Sequence, residues 1–212
     1  MDLGVHLPLM QFGDEGLSLR RLEATVDTAR DCGFAAVSAN DHFIFQTPWL
    51  DGPIALASMV ERSGDMTLAT TVSLAALRGP IPLAKALTAL DILSEGRLVA
   101  ALGPGSSQRD YDVLGISFDE RWKRFDEAVA VLRALLKGEP FPEKARYYPV
   151  SSDVELAPAP RAAAGYPSVD RKLGLEGGGR SRCEGGRRLA CIRLQHDPGP
   201  VLRCTLSFGP QA

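Results

Sequence analysis

Residues 82–106 read PLAKALTALDILSEGRLVAALGPGS. Leu83, Leu87 and Leu90 recur at steps of four and three, which places them on one face of a helix that ends at Gly96. The run LVAALG (98–103) that follows is apolar or small at every position instead of alternating. Such a run suits a parallel strand covered by helices on one side and by packed core on the other. Helix, tight turn, buried strand and glycine-bearing turn together make one unit of an α/β sheet.

The same unit repeats through the first 160 residues. Apolar or β-branched runs begin near Val5, Ala36, Leu68 and Val99, 31, 32 and 31 residues apart, and each leads into a stretch with helical spacing. The first helix is expected to take Ser18 as its N-cap, to bury Leu19, Leu22, Val26 and Ala29, and to end before Gly33. A second lies within Pro53 to Arg62 and a third runs from about Pro82 to Gly96. A fourth carries Trp122, Phe125, Val129, Leu132 and Leu136 as core and stops at Gly138. Two architectures satisfy this pattern: a closed eight-fold barrel, which needs roughly 250 residues, and an open, flavodoxin-like doubly wound sheet that binds a nucleotide.

In either architecture the chemistry collects at the C-terminal ends of the strands. Strand two ends in Asn40-Asp41-His42-Phe43. A histidine there can pass a hydrogen bond or a proton to a ring or carbonyl while the aspartate fixes local geometry; the same pair also reads as a cap or loop brace. Strand three carries Thr71-Val72-Ser73, small or hydroxylated residues that suit a surface against a cofactor ring and equally suit a strand. Strand four ends in Gly103-Pro104-Gly105-Ser106-Ser107. Its glycines allow close backbone approach and its hydroxyls can donate to anionic oxygen, yet position 108 is Gln, so the dinucleotide fingerprint fails. His6 reads as a pocket or core-edge residue and not as a metal ligand, because no second ligand stands at a recognisable spacing, and no metal site is expected.

Composition narrows the class. The formal charge of −2 and the absence of any long apolar run argue against bulk-charge binding to nucleic acid and against a membrane span, and the start MDLGVHLPLM lacks a signal-peptide pattern, so a cytoplasmic protein is expected. That near-neutrality is a cancellation. Residues 161–212 hold eight Arg and one Lys against two Asp and two Glu, together with nine of the 21 Gly and three of the four Cys.

Several of these segments together carry a family resemblance. Leu90-Asp91-Ile92-Leu93-Ser94-Glu95-Gly96-Arg97 running into LVAALGPGS, then Tyr111, Leu114-Gly115-Ile116, Asp119-Glu120-Arg121 and Arg124-Phe125-Asp126-Glu127-Ala128, resemble the bacterial luciferase-like class of flavin- and coenzyme F420-dependent oxidoreductases, and Asp41-His42 matches that family's second-strand pair. The resemblance covers residues 1 to about 160. It implies a TIM (β/α)8 barrel, here truncated to about its first four βα units plus insertion strands over Tyr147–Leu156, and a homodimer in the intact family form. It implies FMN or coenzyme F420 in the barrel mouth, with hydride transfer or oxygen insertion on a small-molecule substrate. By the same resemblance His42 is the catalytic residue, Asp41 and His42 face the ring, Thr71, Val72 and Ser73 back its other face, and Gly103, Gly105 and Ser106 border it. Some deazaflavin-dependent members carry an acid where Ser106 stands, so an acid-catalysed sugar-phosphate dehydrogenase role does not carry over. The barrel's usual phosphate site belongs to loops after strands seven and eight, so weak cofactor binding, or a non-catalytic half-barrel, is the alternative expectation.

The segment 161–212 shows neither strand nor helix period and is expected to be an irregular, poorly ordered extension. With the permitted codons TAT CCC TCC GTG GAT CGG AAG for Tyr166–Lys172, a start one nucleotide later reads IPPWIGS, and continuing through Pro198 reads SGSKAGGVRAARVADGWLASAYNTTP. These strings resemble the family's fifth strand, next helix and sixth strand, which points to a frameshift between Pro160 and Tyr166. Cys183, Cys191, His196 and Cys204 lack knuckle spacing, and Gly177-Gly178-Gly179 lacks the ending of a phosphate loop.

Overall fold

The computed structural model describes residues 3–11, 13–14, 16–160 and 190–193, the last as backbone. The strands β1 (Gly4–His6), β2 (Ala36–Ala39), β3 (Thr67–Leu74) and β4 (Leu98–Gly103) pair in parallel and in chain order. That order sets the flavodoxin-like alternative aside, because a doubly wound sheet reverses direction at a switch point. A sheet that winds one way is the beginning of a barrel.

Register explains the two faces of the sheet. Val5, Val37, Leu68 and Leu98 stand opposite one another in one row; His6, Ser38, Ala69 and Val99 form the next. Val37, Leu68 and Leu98 are fully buried and join Leu22, Val26, Leu83, Leu87 and Leu132 of the helices in one core. Burying each such side chain contributes about 1.5–3 kcal/mol. The second row is small or polar except at Val99 and is partly exposed or, at His6, exposed, as the inward face of an unclosed barrel would be.

The helices begin and end where local chemistry says they should. In α1 (Leu19–Asp31) the Ser18 side chain accepts the Arg21 N–H at 3.3 Å, and Gly33 just beyond its end takes φ 74°. Helix α2 (Gly52–Ser58) is capped by Asp51, whose side chain accepts the Ile54 N–H at 3.1 Å. The short α3 (Ala75–Arg78) and the longer α4 (Pro80–Leu93) follow β3. After β4 come α5 (Gln108–Val113) and α6 (Arg121–Lys137), with the left-handed Gly138 terminating α6. Arg97, between α4 and β4, donates to Ser63 Oγ, Met66 O and Val60 O at 2.7–2.9 Å and so holds the turn after α2 against the foot of the sheet.

Three expectations are corrected, and two short helices are new. Leu19 is 54% exposed instead of buried, because the capped first turn of α1 lies outside the packed stripe. Helices α3 and α5 are too short for a periodicity to reveal. The span Tyr147–Leu156 contains turns and bends and no strand; the N–H groups of Arg146, Tyr147 and Tyr148 are drawn at 2.6–2.9 Å to the Glu127 carboxylate of α6 and are not free for a ladder. Within the segment 161–212, expected to be irregular throughout, Ala190–Arg193 forms a strand, here β5, that pairs antiparallel with Val99–Leu102 along the far edge of β4. An unpaired strand edge is a template for any extended segment that reaches it. The remainder of 161–212, on which the frameshift and irregular-extension expectations fall, lies outside the described residues.

Candidate active site

The ends of β2, β3 and β4 converge with the loop 43–51 and helices α3 and α5. The adjacent Asp41 and His42 part company there. Asp41 is 3% exposed, and its carboxylate accepts from Arg78 Nε at 2.5 Å, Arg78 Nη2 at 2.6 Å and the Leu74 N–H at 3.2 Å. Arg78 Nη2 also donates to Asp51 Oδ2 at 2.5 Å, and the Phe43 ring covers the guanidinium at 5.0 Å. Burial works against the charge on Arg78, but the bonds and charges of Asp41 and then Asp51 outweigh it and hold the guanidinium above its usual range.

His42 turns instead to Asp110, a residue that the sequence reading did not single out. His42 Nδ1 lies 3.0 Å from Asp110 Oδ2, while Asp110 Oδ1 accepts the Ile44 N–H at 2.7 Å. Asp110 is 1% exposed and sits three residues into α5, where its own N–H donates to the N-cap Ser107 Oγ at 3.3 Å. The pattern Ser107-x-x-Asp110 was therefore readable as a helix start, although its acid reaches across the mouth and not back to the cap. A carboxylate can only accept, so Nδ1 carries the proton and Nε2 is the imidazole's working end. No hydrogen bond among the described residues engages His42 Nε2. His6, by contrast, has both nitrogens occupied, by Leu7 O at 2.8 Å and the Asn40 N–H at 3.1 Å, and serves as a brace.

The third and fourth strands supply a cradle. The pairing register shifts between Thr71 and Ser73, with a cis peptide at Thr71–Val72, so Val72 stands out of step with β4. A Cβ on Gly103 would lie 2.6 Å from Val72 Cγ2, and one on Gly105, at φ 87°, would lie 3.1 Å from Leu74 Cδ2. Both glycines thus have local packing reasons to be glycine. Ser106 is exposed beside them. The buried polar atoms Asn40 Oδ1, Thr71 Oγ1 and Ser73 Oγ have no hydrogen-bond partner among the described residues. Unsatisfied buried groups are costly, at about 1–3 kcal/mol each, and these belong to the residue after β2 and to the C-terminal half of β3. A flat heterocycle with carbonyl and N–H groups on its rim, such as a flavin or deazaflavin, fits that donor and acceptor set. Among the described residues no cluster of His, Cys, Asp and Glu could hold a metal ion.

Comparison with known proteins gives the geometry a family. Residues 1–170 match the family model described as luciferase-like monooxygenase. An F420-dependent glucose-6-phosphate dehydrogenase of Kribbella flavida is 30% identical over 194 residues, covering 84% of this chain and 55% of that protein. One of Intrasporangium calvum is 32% identical over 185 residues, covering 78% and 54%. The crystal structure of monooxygenase RslO1 from Streptomyces bottropensis superposes with a TM-score of 0.62 at 26% identity, over 76% of this chain and 52% of that one. An F420-dependent secondary alcohol dehydrogenase in complex with an F420-acetone adduct gives 0.64 at 21% identity, over 76% and 49%, a likeness of fold alone. The chain spans about half the length of the curated relatives it matches. Its four parallel units correspond to one half of such a barrel, and this chain belongs to the luciferase-like monooxygenase family.

Proposed function

We propose that this chain carries the cofactor-facing half of an oxidoreductase site that works with coenzyme F420 or FMN on a small organic substrate, with His42 as the proton-transfer residue. The observation that carries the reading is the His42–Asp110 pair: one ring nitrogen is held by a buried carboxylate and the other is uncommitted at the strand mouth. A reduced deazaflavin or flavin, when bound, would supply the hydride equivalent, two electrons with one proton. Asn40, Thr71 and Ser73 present the polar atoms that its rim would satisfy, and Asp41, tied to Arg78, holds the β2 and β3 ends in place beneath them.

His42 then has a defined task. When a carbonyl carbon is reduced, its oxygen needs a proton, and protonated His42 can give one from Nε2 while Asp110 keeps the ring oriented and offsets its charge. In the reverse direction Nε2 takes the proton of an alcohol. Such positioned proton transfer is worth about 10²–10⁴ in rate.

Titration of F420 and of FMN into the 212-residue chain, followed by the cofactor's own absorbance and fluorescence, tests the reading. Saturable perturbation by one of them is expected, weakened when Asn40, Thr71 and Ser73 are replaced together by alanine; no perturbation at millimolar protein would overturn it. The reading extends to a homodimer, supported by the exposed Ile54 on α2 and Ile81 on α4, and light scattering on Ile54→Asp tests it. It also extends to a cytoplasmic location; no described helix is long and apolar enough to cross a membrane.

A further inference from the structure

We infer that the substrate taken by this mouth is a neutral molecule with an apolar body and a single carbonyl or hydroxyl oxygen, and not a sugar phosphate. The inference rests on the proposed use of His42 but draws on different observations. Phe43, Ile44 and Phe45 are three consecutive large apolar residues, each 36–39% exposed. Exposed runs of this kind mark surfaces that meet a ligand or another protein element. The patch is continuous with the imidazole: the Phe45 and Trp49 rings each lie 4.8 Å from that of His42 and 5.0 Å from each other. A molecule that reaches His42 from this side slides over aromatic carbon.

Charge points the same way. Asp41, Asp51 and Asp110 bring three carboxylates to the mouth, and Arg78, the guanidinium among them, is already shared by two. Counting these three carboxylates and Arg78, the balance is negative whether His42 is neutral or protonated, which opposes a phosphate dianion. Trp49 Nε1, beside the His42 ring, is a buried donor with no hydrogen-bond partner among the described residues.

The chain has two tryptophans, so Trp122→Phe, a change on α6 where that ring packs against the main core, leaves Trp49 as the sole indole reporter. This variant is titrated with cyclohexanol and with glucose 6-phosphate at low salt while Trp49 emission is followed. A saturable change with cyclohexanol is expected, with an apparent Kd at least tenfold below that of the sugar phosphate. Phe45→Ser should weaken cyclohexanol binding at least fivefold while leaving the melting curve in place. Equal or tighter binding of glucose 6-phosphate, or no response to cyclohexanol, overturns the inference. The cofactor titration is read separately by cofactor absorbance: binding of cyclohexanol without cofactor would sink the redox reading and leave this one standing, and the converse would do the opposite.

Discussion

Two buried aspartates stand at the same mouth and do different work. Asp41 is matched by a two-pronged guanidinium that Asp51 also holds, so its oxygens are taken up in joining β2, α3 and the start of α2. Asp110 is matched by an imidazole and one backbone N–H, and the imidazole keeps a free nitrogen. The first arrangement is complete in itself and belongs to architecture. The second is complete only when something meets Nε2. Burial and an acid label would have ranked the two alike; the partner's remaining valence separates them.

The contrast can be broken by substitution. Asp41→Asn removes one partner of a buried ion pair and should cost about 3–5 kcal/mol of stability in urea unfolding; a loss below about 1 kcal/mol would mean that Arg78 does not brace the strand ends. Next in size is Gly103→Ala, which drives a methyl into Val72 and should cost about 1–3 kcal/mol by overpacking. Its thermal midpoint should recover when Val72→Ala is added, because the clash is with that side chain. Asp110→Asn keeps an acceptor for the Ile44 N–H and should cost less than about 1 kcal/mol in stability, while the histidine tautomer, read by nitrogen-15 shifts of His42, loses its preference for a proton on Nδ1. An unchanged tautomer would place Asp110 with Asp41 as a purely architectural acid. The smallest effect belongs to Asp51→Asn, since asparagine caps α2 as well as aspartate does and the lost ion pair is partly exposed: about 0.5 kcal/mol in the same unfolding measurement.

Much of the frame was legible in the chain itself. The period near 31 residues located four strands to within a residue or two, because parallel strands buried on both faces leave unbroken apolar runs. Ser18 and Gly138 marked helix ends through cap chemistry that acts over one turn. His42 was legible as a strand-end histidine. Its partner was not, because Asp110 is 68 residues away and nothing in its own surroundings distinguishes it from any acid early in a helix. Arg78 was missed for the same reason, being 37 residues from Asp41 and lying in a helix too short to show a period. Tyr147–Leu156 misled because its aromatic and β-branched residues suit a strand, whereas a single carboxylate, Glu127, had already claimed the backbone donors.

The sequence by itself determined what short-range physics controls: where the longer helices and the four parallel strands lie, which strands are buried, and that the tail beyond residue 160 differs in composition from the rest. Only the tertiary structure decided the winding order that makes the sheet half of a barrel, the β5 pairing along the far edge of β4, and the division of labour between Asp41 and Asp110. Those depend on which distant groups the packed helices bring within 3 Å of one another, and a hydrogen bond made at that range leaves no periodic trace along the chain.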